Sequence, residues 1–197
     1  MFQPVPDAVA YFIWLAALAA WVGIRLPRRR KARRTRVVAH RRSTRERVVL
    51  GFCVLALGPL PFLAWAGLLP FADIDVSLLR ALAGGVVLAA FVMLFHRAHR
   101  ELADNWSVTL EVREDHKLVT DGLYRHMRHP MYAAFFLWGL GQALTVPNWF
   151  AGLAGLLSVA ILFFSRVGEE EAMMRQQFGA DYDAYCARTA RLLPGVY

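Results

Sequence analysis

Apolar residues in this chain form long unbroken blocks separated by short charged stretches. Ala8 to Ile24 is 17 residues without a charge, and Val48 to Ala72 is 25. Val76 to Phe95 contains only Arg80, and Pro130 to Ser165 is 36 residues with no charge. About 20 apolar residues in a helix cross the hydrocarbon core of a bilayer. The last block is long enough for two short spans, with Val146-Pro147-Asn148 as the turn between them. The pattern predicts an all-α integral membrane protein with about five transmembrane helices, at about 8–26, 48–71, 76–95, 131–146 and 149–165. Gly58-Pro59-Leu60-Pro61 is expected to kink or break the second span, because proline removes a helix hydrogen bond and clashes with the preceding turn.

Charge fixes an expected orientation. The 197 residues carry a net charge of +8, yet residues 25–47 hold 12 of the 23 Lys and Arg against one acid, Glu46. Such a run also suits a nucleic-acid surface. Membrane topology accounts for it better. If 25–47 is cytoplasmic, the far-side stretches 1–7, 73–75 and 146–148 contain no Lys or Arg, and 22 of 23 cations fall on one face. Anionic lipid headgroups are then natural contacts, and no nucleic acid is expected. The first apolar block is followed by its cations rather than preceded by them. It is therefore expected to stay as a span, with the N-terminus outside. The short loops point to a prokaryotic plasma membrane.

The remaining polar residues lie in two segments. The first, 96–130, ends in "GLYRHMRHPMY" and runs into the fourth span; the second follows the fifth as "RVGEEEAMMRQQFGADYDAY". A helical hairpin joins its own ends, so Arg128-His129-Pro130 and Arg166 to Glu171 should be neighbours. Three readings of these residues stand open. His96, His99, His126 and His129 form two HxxH pairs that, with the glutamates, resemble a metal cluster. The cations alone form a juxtamembrane belt. Alternatively, the residues line a cofactor pocket formed by segment 96–130 and the C-terminal helical tail. In that pocket the helix start at Pro130 would hold a carboxylate. Tyr124 and Tyr132 would face a cation, and the glutamates would accept ribose or amino hydrogens. These groups suit S-adenosylmethionine among other ligands.

The arrangement Gly122, Tyr124, Arg128-His129-Pro130-x-Tyr132, then a hairpin, then Arg166, Glu170-Glu171, Phe178-Gly179, Tyr182 and Tyr185 resembles the isoprenylcysteine carboxyl methyltransferase family. That family is related to the membrane phospholipid N-methyltransferases. Asn105-Trp106-Ser107 is similar to its lead-in, and the likeness covers roughly residues 100–194. Gly168 departs from it, standing where some members have a glutamate.

The resemblance implies an S-adenosylmethionine-dependent methyltransferase with a lipophilic, membrane-embedded or lipid-anchored acceptor, a carboxylate first and an amine second. It implies that His129, Pro130, Tyr132, Tyr124 and Glu170 or Glu171 bind the cofactor, without a metal. Arg128 and Arg166 would orient a carboxylate acceptor, with Tyr132 also at the reacting centre. Residues 1–95 would be a three-span membrane region and 96–197 the methyltransferase core. A histidine-cluster membrane metalloenzyme is the rival outside this class.

Overall fold

The computed structural model describes residues 5–32, 37–40, 44–102, 111–113 and 118–195. Helix α1 (Asp7–Ala32) is followed by strand β1 (Val37–His40), and α2 (Thr44–Leu57) and α3 (Pro59–Trp65) come next. Then follow α4 (Leu78–Leu102), strand β2 (Glu111–Arg113), α5 (Pro130–Thr145), α6 (Trp149–Phe178) and α7 (Ala180–Arg188). By length and apolar composition four stretches can cross a membrane: Asp7–Pro27, Thr44–Trp65, Leu78–Leu102 and Trp149–Phe178. A fifth apolar helix, α5, has 16 residues and packs between α4 and α6. The chain is an integral membrane protein of helical class.

Punctuation in the sequence sets the breaks. Pro59 and Pro61 lack N–H groups, and the second span divides at Gly58 into α2 and α3. The α5–α6 turn lies at 146–148. There Asn148 caps α6 by accepting from Ala151 N at 2.9 Å. Its amide also donates to Leu69 O and Asp73 Oδ1, which fixes this end of the hairpin.

Two features depart from the expected outline. A two-stranded antiparallel ribbon joins β1 to β2, pairing Val37 with Arg113 and His40 with Glu111. More important for the site, α6 does not stop at Ser165. It continues unbroken for 30 residues, about 45 Å at 1.5 Å per residue. That exceeds a hydrocarbon core of about 30 Å. The charged stretch Arg166–Phe178 is therefore a rigid extension of the span, because Glu, Ala, Met, Arg and Gln are all good helix formers.

The interior is closed by aromatic packing and one polar hub. Trp138 meets Phe91 at 4.7 Å and Trp21 at 5.3 Å between ring centroids, both edge-on. Gln142 is fully buried. Its Oε1 accepts from Trp14 and Trp138 Nε1, each at 3.2 Å, and its Nε2 donates to Ala56 O and Ala151 O at 2.9 and 2.8 Å. One side chain thus ties α1, α2, α5 and α6 together, with every hydrogen-bonding group used. Gly139 lets α5 and α6 touch: a Cβ there would lie 2.6 Å from Leu156 Cα.

Candidate active site

The site is built where α5 begins and α6 emerges from its apolar stretch. His129 precedes proline and takes a non-helical conformation, φ −124° and ψ 56°, so that Pro130 starts α5 at a position needing no N–H donor. No side chain caps this helix start. Upstream, Gly122 has φ +61° in a turn of 3-10 helix (Gly122–Arg125), and a Cβ there would lie 2.5 Å from the Glu101 carboxylate. Glu101 reaches this position from α4 and accepts from Leu123 N at 2.6 Å. The turn directs Arg125 and His126 to solvent and sets Arg128 and His129 inward, with Tyr124 buried beneath.

Adjacent glutamates on α6 have different surroundings. Glu171 is buried, its side chain 2% exposed. Its Oε1 accepts from Arg128 Nε at 3.2 Å and Arg191 Nε at 3.0 Å, and its Oε2 from Arg191 Nη2 at 3.0 Å. Glu170 is 22% exposed. Its Oε1 accepts from the Tyr132 hydroxyl at 2.7 Å and lies 3.2 Å from Arg166 Nη2. Its Oε2 has a longer contact, 3.7 Å to His129 Nδ1, while His129 Nε2 lies 3.4 Å from Glu171. The His129, Tyr132 and Phe163 rings meet edge-on at 5.2 to 6.2 Å. The hairpin therefore brings His129, Pro130 and Tyr132 onto Arg166, Glu170 and Glu171.

The two arginines divide as the glutamates do. Arg128 is bound to the polypeptide: besides Glu171 its Nη1 donates to Cys186 O at 3.1 Å and to Thr189 O. Arg128 N and His129 N also donate to Ala190 O and Arg191 O, at 2.8 and 3.0 Å. The C-terminal segment is thus strapped across the start of α5. Arg166 is buried, yet among the described residues its Nε has no hydrogen-bond partner. A second carboxylate, Glu46 of α2, lies 3.7 Å from Arg166 Nη2.

Tyr124 is tied to α7. Its carbonyl accepts from the Tyr185 hydroxyl at 2.6 Å. Burial first, then Tyr185 and Glu101, push its own hydroxyl well above the usual phenol range. His99 Nδ1 is 3.1 Å from Phe95 O, and among the described residues no three His, Cys, Asp or Glu side chains gather at metal-binding spacing. Asn105-Trp106-Ser107 and His116 lie outside the described residues. Glu46 and Arg191 were not singled out by sequence. Glu46 is one acid in a cationic run, and Arg191 lies beyond Tyr185, the last residue of the motif.

Residues 82–176 match the model of the isoprenylcysteine carboxyl methyltransferase family. A probable protein-S-isoprenylcysteine O-methyltransferase of Oryza sativa is 34% identical over 89 residues, 45% of this chain and 47% of the relative. The Homo sapiens protein-S-isoprenylcysteine O-methyltransferase is 36% identical over 92 residues, 47% of this chain and 32% of that protein. The solved eukaryotic intramembrane Ras methyltransferase, an isoprenylcysteine carboxyl methyltransferase, superimposes with a TM-score of 0.52 at 29% identity. That match covers 58% of this chain and 42% of the solved one. The chain spans less than half the length of each of these proteins. All three are eukaryotic, and they lend no support to the prokaryotic membrane expected from the loops.

Proposed function

We propose, for a chain whose residues 82–176 belong to the isoprenylcysteine carboxyl methyltransferase family, that it transfers a methyl group from S-adenosylmethionine to the carboxylate of a lipophilic or lipid-anchored acceptor. Residues 96–197 form the methyltransferase core, and 1–95 anchor and flank it. The site lies on the cytoplasmic face. Thr44–Arg47, the end of the basic loop, sits at the same end of the bundle as Arg166, through Glu46.

One observation carries the reading: the group of partly buried Tyr132 and Glu170 with buried Arg166 has an acceptor and a donor still available among the described residues. Among the described residues Glu170 Oε2 is held only by the long His129 contact, and it fits an ammonium or ribose hydroxyl. The uncapped start of α5 fits a carboxylate. The His129, Tyr132 and Phe163 rings suit a cationic sulfur. The donor set therefore fits the cofactor.

When bound, S-adenosylmethionine supplies a methyl carbon already activated by positive sulfur. A carboxylate acceptor would be methylated without losing a proton, so the chain would need no general base. The chain's task is alignment and exclusion of water. Tyr132 fixes the Glu170 rotamer by donating to Oε1. Arg166 Nε, a buried donor, orients the acceptor carboxylate. Arg128 and Glu171 hold the C-terminal segment across the site and act through position, not contact.

Calorimetric titration of the purified protein with S-adenosylmethionine tests the assignment. Wild type is expected to bind one equivalent, and Glu170→Gln to bind at least about tenfold more weakly, the scale of one lost charge-assisted contact. A folded wild type that does not bind rejects the proposal.

A further inference from the structure

Glu46 lies outside the stretch matched to the family, in the first turn of α2, within a run of 12 Lys and Arg. It is buried. Burying a carboxylate is unfavourable unless a charge faces it. Arg166 does: the same Nη2 lies 3.7 Å from Glu46 Oε1 and 3.2 Å from Glu170 Oε1. One guanidinium is thus shared between an acid of the N-terminal half and the acid exposed in the site.

Resting on the reading of this site as an S-adenosylmethionine pocket, we infer that Glu46 is a positioning residue. It holds Arg166 and keeps that arginine from fully neutralising Glu170, so Glu170 retains charge for the cofactor's cationic end. The cluster's composition agrees. Among the described residues, three carboxylates, Glu46, Glu170 and Glu171, face three guanidinium groups, Arg128, Arg166 and Arg191. Without Glu46 the cations would be in excess at a site meant for a ligand of net positive charge. The N-terminal half then contributes to the site as well as to its anchoring.

The test is S-adenosylmethionine binding by calorimetry to the full chain in four forms: wild type, E46Q, R166Q and the double variant. Thermal unfolding of each is followed alongside. A wild type that does not bind rejects the pocket itself, and this inference with it. Given binding, E46Q should weaken it roughly tenfold, the scale of one charge in a partly buried cluster. E46D should recover part of that loss. In the R166Q background E46Q should change nothing further. E46Q binding like wild type overturns the inference, as does an equal loss in both backgrounds. If E46Q does not fold, the double variant, which leaves no unpaired buried cation, is compared with R166Q. Equal binding supports the inference and a further loss overturns it.

Discussion

Replacing Glu171 by glutamine removes the charge that holds three segments together while keeping the side chain's size. The carboxylate takes three charged donors at 3.0 to 3.2 Å from Arg128 and Arg191, with His129 at 3.4 Å. Losing one partner of a buried ion pair costs about 3–5 kcal/mol, because the remaining charge is stranded. Two facts place this case at the lower end. Arg191 is 33% exposed and can return to water, and Arg128 keeps the Cys186 and Thr189 carbonyls. The expected loss is about 3 kcal/mol, or a fall in Tm of roughly 9 °C for a chain of this size. Thermal unfolding in detergent measures it, with proteolysis beyond Gly179 as a local readout of the released strap. Glu170→Gln should cost only about 1 kcal/mol, since glutamine still accepts from Tyr132 and Arg166 keeps Glu46. A Glu171→Gln protein melting within about 2 °C of wild type would refute the hub, as would Glu170→Gln proving the more damaging change.

Three further outcomes are expected. Gln142→Leu loses four hydrogen bonds; at about 0.6 kcal/mol each within a membrane, it should destabilise by about 2 kcal/mol, read as a lower Tm. Gly122→Ala forces an alanine to φ +61° against a carboxylate pinned by Leu123 N and Arg97 Nε. It should cost about 1–2 kcal/mol by the same measurement, and Gly122→Asn, which tolerates that conformation better, should still suffer from the contact. In α7, burial pushes the Tyr185 hydroxyl up to about 12, with Arg128 acting in the opposite direction. The folded state therefore holds this proton more tightly than an unfolded chain, where tyrosine titrates near 10. Its contribution is complete below about pH 10 and is lost as pH rises from there to about 12. Alkaline unfolding of Tyr185→Phe should lack that part of the pH dependence.

Much of the fold was legible because membrane helices announce themselves by block length and their ends by proline, glycine and asparagine. The break at Gly58-Pro59 and the turn at 146–148 are both of this local kind. The continuation of α6 past Ser165 was hidden, because charge at a membrane boundary reads as the end of a span even where helix propensity persists. The ribbon of β1 and β2 was hidden for another reason: four residues pair with three more than 70 positions away, and no local pattern encodes that. At the site, the meeting of Arg128-His129-Pro130 with Arg166 to Glu171 followed from hairpin topology. The division of labour within each pair did not. Glu170 and Glu171 are neighbours in sequence, but a helix turns them about 100° apart, and only packing decides which is buried against Arg128 and Arg191. Gln142, Glu46 and Arg191 are single polar residues whose partners lie far along the chain.

Methyl transfer to a carboxylate acceptor is the activity proposed for this membrane site. It is tested most directly by incubating the protein in membranes with methyl-labelled S-adenosylmethionine and a prenylated cysteine acceptor, then treating the product with base. Label is expected in the lipophilic acceptor, released as methanol and strongly reduced in Arg166→Gln. Base-stable label would identify an amine acceptor and contradict the carboxylate assignment. No label from a folded, cofactor-binding protein would contradict methyl transfer to this class of acceptor.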